Sequence, residues 1–163
     1  MSEKKLPTNF ASAERDSQQK IQKQAGTLLA VSLLRQLLDA VPEILLILNN
    51  KRQIVFANQR LLDVLECKDA KSLLGTRFGE ALKCMHASER EGGCGTTEAC
   101  RYCGAVLATL SSQKGIADVR ECRISPTQEG EARNLKVSTT PFELEGRQYT
   151  ILCAADVSSD TRR

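Results

Sequence analysis

The clustering of cysteines is the feature that most constrains this chain. The sequence has 163 residues and seven cysteines. Four of them lie in one short segment, at Cys84, Cys94, Cys100 and Cys103. The only histidine, His86, lies in the same segment. An odd number of cysteines argues against a complete set of disulfides, so the segment predicts a metal centre or a group of redox-active thiols.

The spacing of the four cysteines leaves three interpretations open. Four thiolates suit an iron–sulfur cluster of the 4Fe–4S type or a tetrahedral zinc ion, and the wide first gap with its glycine-rich loop favours the cluster. His86 is an alternative metal ligand, or a donor to a cysteine sulfur outside the ligand set. The third interpretation is a metal-free thiol–disulfide switch of Cys100 with Cys103, or of Cys94 with either of them.

The remaining cysteines are dispersed along the chain: Cys67, Cys122 and Cys153. Each lies in or beside an apolar run, where cysteine behaves as a small hydrophobic residue. We therefore interpret these three as core residues and exclude them from the predicted ligand set.

The first quarter of the sequence predicts a tail followed by an amphipathic helix. Residues 1–25 are polar and rich in Lys, Gln, Glu and Ser, which is typical of disorder. Residues 26–42 carry apolar residues at helical spacing, and Pro42 ends the helix. The main stripe consists of Val31, Leu34, Leu38 and Val41. Because one domain surface covers only part of this apolar arc, we expect a homodimer with Leu34 and Leu38 among its contacts.

Residues 43–158 predict one domain of the α+β class. Two short apolar runs, 44–48 and 53–57, flank turn residues and predict a β-hairpin. Asn58 is suited to cap the helix that follows. Another helix is predicted through Cys100 and Cys103 to about Gln113. Three later runs with strand character lie at 116–125, 134–142 and 148–156.

Charge and composition exclude several functions. The 23 Lys and Arg nearly balance the 20 Asp and Glu, so nothing favours binding to nucleic acid. The sequence contains neither an apolar run long enough to span a membrane nor a secretory signal, and we expect a cytoplasmic protein that does not bind membranes. It also offers no nucleophile–base pair and no phosphate-binding loop, so we do not expect an enzyme.

The order of these elements resembles the PAS domain family. Asn58 matches the asparagine that commonly opens the first helix of that family, and Asp156-Val157-Ser158 resembles the exit from its last strand. The resemblance covers roughly residues 33–158. It implies a five-stranded antiparallel sheet with short helices on one face and, in this chain, an additional N-terminal amphipathic helix.

The cysteine segment itself resembles a narrower group. Residues 79–87 and 92–105 are similar to a cysteine-rich subset of bacterial PAS sensors, in which the module often precedes a histidine kinase, phosphatase or cyclase. The sequence ends within a few residues of Asp156, with 159–163 as a C-terminal tail. We therefore expect either a stand-alone sensor or a shortened form of a larger protein.

Together these observations predict a PAS sensory module that responds to oxygen, redox state or metal supply. The four clustered cysteines would bind an iron–sulfur cluster, with zinc as the alternative, and the module would signal to a histidine kinase or another output partner. The competing predictions are a zinc-stabilised interaction module and a metal-free thiol–disulfide switch. The resemblance is also compatible with a pocket ligand such as haem or flavin.

Overall fold

The computed structural model describes residues 6–126 and 132–157 of the chain. The described residues form one five-stranded antiparallel sheet with strand order β2-β1-β5-β4-β3. Its strands are β1 (Ile44–Leu48), β2 (Ile54–Ala57), β3 (Asp118–Ile124), β4 (Arg133–Leu144) and β5 (Arg147–Asp156). The predicted hairpin and three later strands are thus confirmed, while the expected tail at 159–163 lies outside the described residues.

The helices of the described chain are short. They are α1 (Gln18–Leu29), α2 (Leu34–Asp39), α3 (Gln59–Val64), α4 (Phe78–Ala81) and α5 (Gly104–Gln113), with 3-10 turns at Met85–Ser88 and Glu98–Tyr102. None of the helices within residues 6–126 and 132–157 has the length and apolar character needed to cross a lipid bilayer. The helix predicted through Cys100 and Cys103 is interrupted, because Cys103 has extended backbone geometry between the second 3-10 turn and α5.

Strand β1 lies at the centre of the molecule, and all five of its residues are buried. Ile44, Leu46 and Leu48 face the layer formed by α3, α4 and α5. Leu45 and Ile47 face the opposite side, where α1 and α2 pack. Both faces of the sheet are covered here, which explains why β1 is a continuous apolar run rather than an alternating one.

The N-terminus differs from the prediction. Residues 18–25 are helical rather than disordered, because Ile21 and Leu28 lie on one face of α1 and both are fully buried against the sheet. Ser17 caps this helix by accepting a hydrogen bond from the backbone N–H of Lys20. The other residues of α1 are mostly polar, and Ile21 and Leu28, seven positions apart, are its large apolar residues that pack on the sheet.

The single helix predicted over residues 26–42 is also wrong. Leu33 adopts a left-handed backbone conformation with φ of 69°, and this breaks the segment between α1 and α2. As a result Leu34 and Leu38, the predicted dimer contacts, turn partly onto the domain's own sheet. The leucines that remain exposed are Leu29, Leu33 and Leu37.

Asn58 connects three elements through one buried side chain. Its Oδ1 accepts hydrogen bonds from the backbone N–H of Leu61, as the cap of α3, and of Leu45 in β1. Its Nδ2 donates to the carbonyls of Leu38, near the end of α2, and Glu43. The predicted capping role is confirmed, and the same amide also fixes α2 against the sheet.

We expect Asn58→Ala to lower the free energy of unfolding by about 3 kcal/mol, because it removes a helix cap and leaves buried backbone groups without partners. Urea-induced unfolding followed by circular dichroism measures this change. Gln59→Ala is the matched control, since Gln59 is adjacent to Asn58 and exposed. Its side-chain amide donates to the carboxylate of Asp63, and its backbone N–H, which the substitution keeps, donates to the carboxylate of Asp39. Equal losses for the two variants would contradict the assigned role of Asn58.

Candidate functional site

The four clustered cysteines line one cavity of about 160 Å³ between the helical layer and the edge of the sheet. Cys84 follows α4, Cys94 lies in the glycine-rich loop, Cys100 lies in the second 3-10 turn, and Cys103 precedes α5. His86 lines the same cavity. The structure therefore brings together all five residues that the sequence singled out.

A close approach of backbone to sulfur shapes one wall of the cavity. A Cβ atom on Gly79 would lie 2.8 Å from the Sγ of Cys94 and 3.5 Å from the Cβ of Cys84. The carbonyl of Gly79 also accepts a hydrogen bond from the backbone N–H of Cys84 at 2.7 Å. Glycine at this position lets two of the cysteines approach the same turn of α4.

Glu80 fixes the loop that carries Cys94. One carboxylate oxygen accepts from the backbone N–H of Arg77, and the other accepts from the backbone N–H of Cys94, both at 3.1 Å. Arg15 forms an ion pair with the same carboxylate. Burial disfavours the charged form of Glu80, but the hydrogen bonds and charge of Arg15 outweigh it and keep the pKa below its usual value.

Arg77 is the most deeply buried cation beside the cavity, with 1% of its surface exposed. Its guanidinium donates to four backbone carbonyls: to Lys51 at 3.1 Å, to Gly92 at 2.9 Å, to Cys94 at 3.4 Å and to Glu14 at 2.7 Å. Burial and the positive charge of Arg52 lower its pKa to about 9. The side chain therefore joins three separate segments, but it remains a cation near neutral pH.

Arg52 lines the same cavity and is also buried. Its guanidinium donates to the carbonyl of Cys94 at 2.9 Å and to the carbonyl of Ser12. Burial lowers its pKa. Within the described part of the chain, neither Arg52 nor Arg77 forms an ion pair with a carboxylate, so the cavity wall carries positive charge that side-chain anions do not directly balance.

Three of the cavity thiols, those of Cys84, Cys94 and Cys103, favour the protonated form. Burial raises the pKa of Cys84, and it raises the pKa of Cys94 to about 12. The pKa of Cys103 is raised by a hydrogen bond with Cys122 and by burial. The cysteines also raise one another's pKa values, because thiolates at this distance repel. A cation that bound here would therefore have to displace protons from sulfur.

Cys122 is the cysteine that sequence reasoning missed. It lies in β3 with its side chain buried in the core, as predicted, but its Sγ lies 3.7 Å from the Sγ of Cys103. The hydrogen bond from Cys103 lowers the pKa of Cys122. Neither Cys67 nor Cys153 lines the cavity; Cys153 packs against the opposite face of the sheet. The buried arginines were missed as well, since a single arginine carries no periodic signal.

A segment that the sequence predicted to be disordered covers the glycine-rich loop that carries Cys94, which we call the cysteine loop. We call residues 9–16 the N-terminal strap. The backbone N–H groups of Asn9 and Ala11 donate to the carbonyls of Thr96 and Gly95 at 2.8 and 2.9 Å. At its other end, the backbone N–H of Asp16 donates to the side chain of Gln53. The strap thus connects the cysteine loop directly to the start of α1.

The sulfurs surround the cavity without converging on one point. Across residues 6–126 and 132–157, no three His, Cys, Asp or Glu side chains are close enough to hold a single metal ion. His86 instead pairs its Nδ1 with the carboxylate of Glu89 at 2.7 Å. The roles of the four cysteines and of His86 as ligands remain predictions.

Comparison with known proteins supports the fold. A family model described as "PAS domain" matches residues 32–100. The five-stranded antiparallel sheet and its short helices match the PAS fold, and the segment that the family model matches is similar to PAS domains. A comparison with curated protein sequences gave no match.

Solved structures of PAS domains are similar to this chain at low sequence identity. The PAS domain of nitrogen regulation protein NR(II) from Vibrio parahaemolyticus is 17% identical, with a TM-score of 0.55 over 77% of this chain and 99% of that one. A PAS domain from a two-component sensor histidine kinase is 16% identical, with a TM-score of 0.50 over 78% and 96%. The Rhodobacter sphaeroides LOV protein is 12% identical, with a TM-score of 0.52 over 87% and 69%. At these identities the likeness shows the fold alone.

We expect Glu80→Gln to lower the free energy of unfolding by about 2 kcal/mol at pH 7, because the charged hydrogen bonds to Arg15 and to the cysteine loop are weakened. Since the pKa of Glu80 is lowered in the folded state, the unfolded state takes up the proton first as the pH falls. This contribution to stability is therefore lost with decreasing pH.

Urea unfolding of both proteins between pH 7 and pH 3.5 tests this expectation. The difference between wild type and Glu80→Gln should narrow as the pH falls below about 4. Glu98→Gln is the control, because its carboxylate is exposed and pairs only with Arg101 at the surface. A difference that stayed constant across the pH range would show that the charge of Glu80 is not what holds the loop.

Proposed function

We propose that this chain is a PAS sensory module that binds an iron–sulfur cluster of the 4Fe–4S type through Cys84, Cys94, Cys100 and Cys103. The observation that carries the proposal is the shared cavity: cysteines from four separate local structures line one partly open cavity. Thiolates are the usual protein ligands of such clusters. Changes in oxygen, redox state or iron supply would alter the cluster. Through the cluster they would alter the segment from the cysteine loop to the start of α5, which carries Cys94, Cys100 and Cys103.

The arrangement of the sulfurs favours a cluster over a single zinc ion. A tetrahedral zinc site with bonds of about 2.3 Å requires its sulfurs to lie about 3.8 Å from one another. No three candidate side chains in the described chain meet that requirement. A cluster places its thiolates around a body of several atoms, and four cysteines around a cavity of about 160 Å³ suit that demand better.

The charges around the cavity support the same choice. Arg52 and Arg77 are buried next to the cysteines, and among the described residues neither forms a direct ion pair with a carboxylate. The carboxylate of Glu80 acts on both from farther away, but it is itself paired with Arg15. Buried cations that are incompletely balanced are costly. A cluster bound by four thiolates is an anion overall, and it would add negative charge beside them. These arginines would in turn favour the more reduced, more negative state of such a group.

The other two functions predicted from the sequence, the zinc-stabilised interaction module and the metal-free thiol–disulfide switch, have less support than the cluster. A zinc-stabilised interaction module uses the same four cysteines but meets the geometry less well. A metal-free switch would require a pair of thiols in contact, and the pair in contact here is Cys103 with Cys122 rather than any pair that the sequence suggested. We do not assign a catalytic activity to the domain, and we place it in the cytoplasm, where free thiols stay reduced.

Protein purified without oxygen is expected to be brown and to contain about four iron and four sulfide per chain. Replacing any one of Cys84, Cys94, Cys100 or Cys103 with Ser should remove most of this iron and lower the stability, because metal binding contributes folding free energy. Elemental analysis, acid-labile sulfide and the visible absorption spectrum measure the result.

Cys67→Ser and Cys153→Ser serve as matched controls, since both thiols lie away from the cavity. Both should keep the full iron content. Colourless wild-type protein that contains stoichiometric zinc would contradict the cluster and support the zinc-stabilised module instead. Wild-type protein without any metal after anaerobic purification and reconstitution with iron and sulfide would overturn the proposal.

Signal output is the second part of the proposal. Structurally similar PAS domains include one from a sensor histidine kinase, and we propose a histidine kinase or another signalling protein as partner. The N-terminal strap is the route out of the site, because it is bonded to the cysteine loop at one end and leads into α1 at the other. A change at the cluster would be passed to α1 and α2 on the far face of the sheet.

The homodimer predicted from the sequence remains a prediction, and we propose that its surface includes the exposed side chains of Leu29, Leu33 and Leu37. These apolar side chains lie at intervals of four residues around the junction of α1 and α2, and exposed apolar groups are what a two-fold interface would bury on both copies. Leu33→Glu with Leu37→Glu should give a monomer that keeps its metal content.

Light scattering at tens of micromolar tests this prediction, because a dimer of roughly micromolar affinity is mostly associated there. Gln19→Glu with Gln22→Glu is the matched control: it adds the same charge to exposed positions of α1 outside the proposed surface. A wild-type protein that is monomeric under these conditions would exclude the dimer.

A further inference from the structure

Cys103 and Cys122 form a pair of thiols in direct contact. Their sulfurs are 3.7 Å apart, although the residues belong to different elements: Cys103 precedes α5, and Cys122 lies in β3. A disulfide has an S–S bond of about 2.05 Å and Cβ atoms about 3.8 Å apart. Side-chain rotation that brings the two sulfurs about 1.7 Å closer would therefore allow a bond.

The backbone on either side holds the pair together. Gly104, directly after Cys103, lies so near β3 that a Cβ atom at this position would clash with the carbonyl oxygen of Glu121, directly before Cys122. The glycine thus permits the start of α5 to press against the strand. Two residues flanking a backbone contact of this kind are kept in range of one another by the fold itself.

We propose that Cys103 and Cys122 form an intramolecular disulfide when hydrogen peroxide or an organic hydroperoxide reaches the metal-free protein. One thiol is oxidised to a sulfenic acid by the hydroperoxide, whose O–O bond breaks and releases water or an alcohol. The sulfur of the second thiol then attacks the sulfenic sulfur, and the hydroxyl leaves with a proton as water. Two thiols and one hydroperoxide thus give one disulfide, one water and one water or alcohol.

This pairing deepens the proposed function, and its effect on the cluster rests on that function being correct. Cys103 is one of the four proposed ligands, and a sulfur in a disulfide cannot bind iron. The disulfide would therefore hold the domain in a metal-free state after the cluster is lost, until a reductant restores both thiols. The domain would then report a history of peroxide exposure as well as the presence of the cluster.

The tryptic cleavage sites allow a direct test. Trypsin separates the cysteines of interest: Cys103 lies in peptide 102–114, Cys122 in 121–123, Cys94 together with Cys100 in 91–101, and Cys84 in 84–90. The full chain is stripped of metal with a chelator, treated with one equivalent of hydrogen peroxide, alkylated and digested without reductant. Mass spectrometry should find peptides 102–114 and 121–123 linked, with the loss of two hydrogens, and separated again by dithiothreitol.

Cys122→Ser and Cys122→Ala should abolish that linkage, whereas Cys153→Ser should leave it unchanged; circular dichroism verifies that each variant folds. A link from peptide 102–114 to 91–101 or 84–90 would overturn the assignment. So would the recovery of both Cys103 and Cys122 as alkylated thiols after oxidation.

The effect on the cluster is measured on the same samples by reconstitution with iron and sulfide. The oxidised wild type should take up less than a tenth of the iron bound by the reduced wild type, and dithiothreitol should restore the uptake. Equal iron uptake by the oxidised protein would overturn the proposal that the disulfide keeps the domain metal-free. If the reduced protein also takes up no iron, the proposal of an iron–sulfur cluster is wrong. The peptide map still shows whether the disulfide between Cys103 and Cys122 forms.

Discussion

The buried guanidinium of Arg77 is the interaction on which the arrangement of the site depends. It donates to carbonyls of the hairpin turn, the cysteine loop and the N-terminal strap, and so contacts all three segments at once. Because the five donors of arginine lie in one rigid plane, the three carbonyls are held in fixed relative positions. A lysine would keep the charge without this geometry. Glu80 completes the frame by binding the cysteine loop and Arg15 from the other side.

Most of the sheet could be predicted from the sequence, because its strands are signalled locally. The run 44–48 became β1 without adjustment, and Asn58 capped the next helix as its position suggested. The N-terminus could not be predicted in the same way. Its polar composition is typical of disorder, but the decisive contacts are made by Ile21 and Leu28 with a sheet that exists only after folding. The break at Leu33 likewise reflects tertiary packing, since leucine has no local preference for a positive φ.

The candidate site was predictable in part for the same reason. Cysteines are rare enough that four in one segment identify themselves, and their shared cavity agrees with that reading. The sequence predicts that Cys122 is an ordinary core residue, and by burial it is one. Its position beside Cys103 depends on the packing of β3 against the start of α5, which the sequence does not signal. Arg52 and Arg77 were invisible to sequence reasoning, because a single charged residue in a loop is usually solvated, and burial of the charge depends on segments distant in the chain.

The long-range character of the N-terminal strap has a consequence for the order of folding. Its hydrogen bonds join residues far apart in sequence, with separations of 77 residues for Arg15 with Gly92 and 92 residues for Asn9 with Arg101. Contacts of this span are entropically costly to close and form after local hairpins and helices. The strap can therefore dock only once the sheet and the cysteine loop are in place. The strap precedes the cysteines in the chain but docks after the segments that carry them, so for that interval the cysteines remain open to solvent.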